Sequence, residues 1–217
     1  MEVEIISLYY QDEFLIPFYM RHYAWADKIT LITKTLSSGI NNEAQAAWYT
    51  EAYQNSKADW VIVCDIDEFV FVARETLQDI PSGITVKEAS LYDIYPHWEE
   101  SVTLDPKIPV KDQRRHGFLL DPFYIKPIIL RGGLNITLGV GRHGLSGSGV
   151  KIGPRDIIGA HWRNCSLQYA LDTRLKKRKD RFCKEDIEKG YSLRDRLETE
   201  ESIRSEFAGC RDYPLVF

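Results

Sequence analysis

The chain has 217 residues, 44% of them hydrophobic and 12% aromatic, which is enough for one sizeable core and too apolar for a disordered polypeptide. Its formal net charge of −4 lacks the basic surplus of a general nucleic-acid binder, so a small or discrete partner is expected. Cys64, Cys165, Cys183 and Cys210 are widely spaced and form no Cys-x-x-Cys pair. That spacing suggests neither a zinc site nor a disulfide framework, and fits reduced thiols in a cytoplasmic protein.

The amino terminus, MEVEIISLYYQDEF, opens into a strand-like run without the basic region and cleavage site of a signal peptide. Val3 to Tyr9 reads as a buried strand, and Asp12 to Ala26 as a helix with an aromatic face (Phe14, Phe18, Tyr19, His22, Tyr23) and Pro17 near its start. Ile29 to Thr33 is a second strand, Asn42 to Asn55 an alanine-rich helix, and Trp60 to Cys64 a third strand. Strand, helix, strand, helix, strand is the signature of an α/β fold: a mixed, mainly parallel central sheet with helices on both faces. Ligands of such sheets bind beyond the carboxyl ends of the strands.

Beyond Phe71 the alternation loosens. Ser90 to Tyr95 and Phe123 to Leu130 read as further strands, separated by a long Pro- and charge-rich loop, and Gly132 to Gly153 holds eight glycines. Both segments, 96–121 and 132–153, are expected to be lids. Ser166 to Lys189 reads as one strongly basic helix. No stretch reaches the roughly 18 apolar residues of a membrane span. The triplets Asn135-Ile136-Thr137 and Asn164-Cys165-Ser166 are glycosylation sequons only in a secreted chain. Residues 1–217 are read as one domain, and the abrupt end YPLVF allows it to be part of a longer polypeptide.

The chemistry concentrates in DWVIVCDIDEFVF, residues 59–71, where a buried run meets Asp65, Asp67 and Glu68. Taken alone, Asp-x-Asp is most often a solvated turn. Here the preceding WVIVC is a central strand, and in an extended chain the two carboxylates share a side and can share a divalent cation. Mg²⁺ and Mn²⁺ take oxygen ligands and keep positions open for phosphate, which suits a diphosphate ligand.

NEAQAAWYTEAYQNSKADWVIVCDIDEFVF, IISLYYQDEFLIPFYMRHYAWADKITLIT and the later HWRNCSLQY together resemble the nucleotide-sugar glycosyltransferases of GT-A fold, family 2-like group. The resemblance implies transfer of a sugar, a hexose or deoxyhexose, from a nucleoside diphosphate donor, with UDP favoured, to a glycan hydroxyl, by an inverting reaction. It also implies a bound Mn²⁺ or Mg²⁺, with Asp67 on the metal, Asp65 on the ribose or a metal-bound water, and the nucleotide along Ser7, Tyr9 and Gln11. Where many relatives carry an aspartate-containing turn after the second strand, this chain has Lys34-Thr35-Leu36-Ser37-Ser38, which points to different base recognition.

His161 is a structural histidine or a nitrogen ligand to Mn²⁺. Arg163 and Lys177 are solvated cations or phosphate partners, and His143 lies in the second expected lid. An inverting transfer needs a general base. Asp93, Glu99, Glu100 and Asp121 are the candidates, and position at the ends of the long loop favours Glu99 and Asp121. Two rivals stand beside this reading. One is a nucleotide-sugar or carbohydrate-binding module of the same fold without turnover. The other is a nucleotidyltransferase or phosphotransferase, a class that usually carries a glycine-rich phosphate loop not visible in residues 1–40.

Overall fold

A computed structural model describes residues 1–9, 12–33, 41–119, 125–177, 182–191, 197–210 and 213–217, the side chains of 176 and 177 excepted. The first half follows the expected order: β1 (Val3–Leu8), α1 (Ile16–His22), β2 (Lys28–Ile32), α2 (Asn42–Asn55) and β3 (Trp60–Val63). Helix α2 starts where the Asn41 side chain accepts a hydrogen bond from the Ala44 amide at 2.8 Å, and stops where Ser56 turns extended. Helix α1 is shorter than the expected 12–26. It begins at Ile16 with Pro17 in its first turn, where the missing N–H costs nothing.

The remaining strands are β4 (Glu68–Phe71), β5 (Val86–Tyr95), β6 (His116–Leu119), β7 (Ile125–Arg131) and β10 (Ile157–His161), with β8 (Ile136–Leu138) and β9 (Leu145–Gly147) forming a separate two-stranded ribbon. The main sheet runs β2-β1-β3-β7-β5-β10-β4, and β6 pairs with β5. It is mixed, as expected, but parallel pairings are not in the majority. β1 pairs in parallel with β2 and β3, and β5 with β10, whereas β3–β7, β7–β5, β5–β6 and β10–β4 are antiparallel. Parallel neighbours need long crossovers. After β3 the described α-helices up to β10 are the short Arg74–Gln78 and Val110–Gln113, so strands reverse instead. Even so, β1, β2, β3, β5 and β10 all point the same way, and their carboxyl ends share one edge of the sheet.

Alternation along β1 and β3 assigns a helix to each face. Val3, Ile5, Trp60 and Ile62 cluster with Phe18, Tyr19 and Tyr23 of α1, while Ile6, Val61 and Val63 cluster with Tyr49 and Tyr53 of α2. Each buried aromatic of this kind contributes about 1.5–3 kcal/mol provided its hydroxyl finds a partner. The partners lie around the end of β3: Tyr19 Oη is 3.0 Å from Cys64 Sγ, and Tyr23 donates to Glu68 O at 3.1 Å and accepts from the Val70 amide at 2.8 Å. Packing on both faces therefore fixes the segment in which the acidic residues sit.

Two further expectations change. The basic stretch is not one helix: a short α-turn, Leu167–Ala170, capped by Ser166, runs into a π-wound turn, Leu171–Lys177, and Lys184–Glu188 is separate. Arg174 faces inward from that turn instead of being solvated. The glycine-rich segment is built into the fold through β8, β9 and the buried Arg142, whose φ of 58° lies in the left-handed region. Two of its glycines serve close approach: a Cβ on Gly132 would lie 1.9 Å from Ala58 O, and one on Gly147, with φ 149°, 2.1 Å from Asn135 O. The other expected lid carries Val110–Gln113 and β6, and the Gln113 amide clamps the backbone at Asp105 and Ile108. No helix among the described residues is long and apolar enough to cross a membrane.

His22 joins α1 to β4, its Nε2–H donating to Val70 O at 2.9 Å and its ring lying 5.3 Å from those of Phe69 and Phe71. Burial lowers its pKa to about 4, against the opposing effect of the Val70 bond. The unfolded chain takes up this proton near pH 6.5, and the folded protein only near 4. Stability from this group is therefore complete above pH 6.5 and is lost as pH falls toward 4, with a slope approaching about 1.4 kcal/mol per pH unit. Melting curves of wild type and His22→Gln across this window should show a shallower acid limb in the variant; identical limbs would contradict the assignment.

Candidate functional site

The chain leaves β3 at the shared carboxyl edge and closes a tight turn, with the Glu68 amide donating to Asp65 O at 3.0 Å and the Asp65 amide to Glu68 Oε2 at 2.9 Å. The expectation that Asp65 and Asp67 share a side assumed an extended chain. In the turn that geometry is lost, and the two carboxylates take different partners: Asp65 contacts Arg142 and Lys126, and Asp67 contacts His161.

Glu68 is 0% exposed. A lone carboxylate there would cost several kcal/mol, and two buried cations offset the cost. Lys126 of β7 meets Oε1, and Arg142 Nη2 meets Oε2 at 2.8 Å while its Nη1 donates to Val63 O at 2.9 Å. Burial pushes the Glu68 pKa up, but Arg142 and Lys126 outweigh it and hold the group well below the usual carboxylate range. Asp65, whose side chain remains 40% exposed, joins the same cations and accepts from Tyr49 Oη at 2.7 Å. Tyr49 in turn accepts from the Leu8 amide at 2.8 Å, and its ring lies 5.0 Å below the Arg142 guanidinium. Two carboxylates and two cations thus form a neutral set at the edge, linked through α2 to the end of β1.

On the neighbouring strand, β10 ends in His161, in register with Asp93 of β5 and Glu68 of β4. Its Nδ1 is 2.7 Å from Asp93 Oδ1 and its Nε2 is 3.4 Å from Asp67 Oδ2. Burial alone would lower its pKa, but the Asp67 and Asp93 carboxylates prevail and hold it well above the ordinary value. Asp93 Oδ2 accepts from Asn164 at 3.4 Å, and Asn164 Oδ1 accepts from Arg174 at 2.8 Å. Arg174 is fully engaged by Glu198 at 2.9 and 2.5 Å and by Glu206 of the helix Glu200–Gly209 at 2.7 Å. A continuous buried polar chain therefore runs from Asp67 to the carboxy-terminal helix.

The other sequence-derived candidates fall as follows. Ser7 is buried, with its hydroxyl on Leu8 O at 3.4 Å, and Tyr9 donates to Glu13 at 2.7 Å. Arg163 pairs with Glu198 at 3.2 Å. His143 is exposed beside Arg142, its pKa lowered by partial burial and by the cations of Lys126 and Arg142. Among the expected bases, Asp93 is buried and orients His161, and Glu100 is enclosed by Arg114, His116 and backbone amides. Glu99 is 53% exposed on the loop that leaves the same edge of the sheet. Gln11, Asp121 and the Lys177 side chain lie outside the described residues.

Sequence reasoning missed Lys126, Arg142 and Tyr49. A lysine inside the apolar run IKPIIL was the visible clue, since a cation in a buried strand requires a buried anion. Asp67 offers an oxygen donor and His161, once a cation displaces the Nε2 proton that the two carboxylates stabilise, a nitrogen donor, a set that fits Mn²⁺ better than Mg²⁺, with remaining positions left to water or phosphate oxygens. Among the described residues no group of three His, Cys, Asp or Glu side chains is assembled to hold a metal unaided. The chain matches no protein-family model, and the search of curated proteins found no match.

Lys126→Met should destabilise the fold by about 3 kcal/mol or more, because Glu68 keeps only one cation. Combining it with Glu68→Gln should recover most of that loss. Urea denaturation of the single and double variants measures the coupling, and strictly additive losses would dismiss the pairing as the constraint it is described to be.

Proposed function

We propose that this chain is a metal-dependent glycosyltransferase that moves a sugar from a nucleoside diphosphate donor, with UDP favoured, to a glycan hydroxyl with inversion. One observation carries the reading. An acidic turn stands at the edge where five strands end together, with Asp65 40% exposed there and the more enclosed Asp67 facing His161. That edge is where α/β sheets bind ligands. The GT-A resemblance of residues 42–71 supports the same assignment.

In this reading Asp67 and His161 hold the cation, and Asp93 keeps the imidazole turned toward Asp67 through its 2.7 Å bond. A bound divalent cation supplies neutralisation of the charge that develops on the departing diphosphate. Lys126 and Arg142 keep Asp65 and Glu68 from adding uncompensated negative charge where the diphosphate must sit. Asp65 retains exposed surface for a ribose hydroxyl or a metal-bound water. Glu99, open to solvent, or Asp121 takes the acceptor proton as the bond to the sugar forms. Four buried, unpaired thiols support a reducing compartment such as the cytoplasm.

A thermal-shift panel of UDP- and GDP-sugars with and without Mn²⁺ tests the proposal, since a ligand at 100 times its Kd stabilises by about 2.7 kcal/mol. A Mn²⁺-dependent shift should appear and vanish in Asp67→Ala, whose own melting temperature should fall less than that of His161→Ala because His161 keeps Asp93 as a partner. His161→Ala should behave differently from a simple ligand deletion. It strands buried Asp93 and should unfold at markedly lower temperature as well as lose Mn²⁺. Slow release of free sugar from the donor would separate an enzyme from a binding module of the same fold. A full donor response in Asp67→Ala would place the metal elsewhere and refute the mechanism.

A further inference from the structure

Strand β5 carries Asp93 to the shared edge and then releases the chain into a segment that places Trp98 in solvent. The indole is 71% exposed, whereas Trp60 and Trp162 are buried and Trp25 and Trp48 are half-buried. A tryptophan left in water forfeits the stabilisation its burial would give. The exposure is not that of a loose loop tip. The His97 ring packs on Trp98 at 5.2 Å and stacks on His116 at 3.8 Å, with the His97 and His116 planes 18° apart. His116 Nδ1 is 2.9 Å from Glu100 Oε1, and the enclosed Glu100 carboxylate also accepts the amides of His97 at 3.1 Å and Arg115 at 2.8 Å. Buried Arg114 donates to Ser101 O at 2.9 Å and Cys165 O at 2.6 Å. The residues on both sides of Trp98 are therefore fixed, and the indole is presented on a rigid base.

Its position follows from register. Asp93 lies opposite His161, which contacts Asp67, and five extended residues span at most about 17 Å. Trp98 thus rises from the same edge as the acidic turn, within reach of a ligand that extends outward from it. The chemistry around the ring is specific: Glu99 is 53% exposed next to it, and Ser101 and Thr103 follow in water. A flat apolar face bordered by hydrogen-bond acceptors suits a pyranose, which offers a C–H face to an indole and hydroxyl donors to a carboxylate. The apolar surface of residues 97–103, Trp98 and Val102, is interrupted by these polar groups and is too small for a stable protein interface. The Glu99 carboxylate also repels an anionic bilayer.

We propose that Trp98 is a stacking platform for a sugar ring of the glycan acceptor, with Glu99 receiving one of its hydroxyls. Its assignment to the acceptor rests on the glycosyltransferase reading; sugar binding by the platform does not. Hydroxyl-radical footprinting read at Trp98 by mass spectrometry tests it, using cello-, chito-, malto- and mannotriose at about 10 mM, ten times a weak Kd of about 1 mM. At least one trisaccharide should protect Trp98 severalfold without donor or metal and leave Trp25 and Trp48 unchanged. The same sugar should bind wild type in calorimetry, weakly in Trp98→Phe, and not in a folded Trp98→Ala. Absence of protection by all four, or protection that follows protein concentration or anionic vesicles instead, overturns the platform. A Mn²⁺-dependent donor shift with no sugar protection would fail the platform alone, and sugar protection with no donor response would fail the transferase reading alone.

Discussion

The site depends on keeping one carboxylate ionised where no water reaches it. Glu68 opens β4 with no exposed surface, and its charge is tolerable only because Lys126 and Arg142 arrive from elsewhere in the chain. That requirement draws β7 against the end of β3 and pins the glycine-rich segment through a residue held in left-handed backbone. Once Glu68 is paired, its second oxygen closes the turn by accepting the Asp65 amide, and Asp65 and Asp67 are left at the rim. A structural ion cluster thus holds the residues that a ligand would meet.

The rim is stiffened from the other side by His161. Its two nitrogens face two carboxylates, and the Asp93–Asn164–Arg174 chain continues to Glu198 and Glu206. Such a network is costly if any member is missing and specific when complete. It couples the acidic turn to the carboxy-terminal helix, so residues well outside the turn govern where Asp67 points. Rigid support of this kind is what positions a reacting group without reorganisation at the moment of reaction.

The first three strands and α2 were legible in the sequence because their signals are local: short apolar runs, the alanine-rich stretch 42–55, and the acidic residues at the end of WVIVC. Helix α1 was legible in kind but not in length, since the aromatic periodicity begins at Phe14, ahead of the helical start at Ile16. The sheet order was not legible, because β7 enters between β3 and β5 through pairings that no local pattern records. The same holds for the site. Lys126 and Arg142 meet Glu68 across 58 and 74 residues of chain, and only the incongruous lysine in an apolar run hinted at it. The basic stretch misled because charge count does not tell a solvated face from an arginine turned inward to two glutamates.

The claim that the acidic turn receives a metal and a diphosphate is tested most directly by anomalous diffraction from crystals grown with Mn²⁺ and UDP. The account expects a manganese peak bonded to Asp67 at about 2.1–2.2 Å and shared with diphosphate oxygens. Glu68 should still be clasped by Lys126 and Arg142 in those crystals. A manganese peak away from residues 65–67, or UDP seated elsewhere on the sheet, would contradict it.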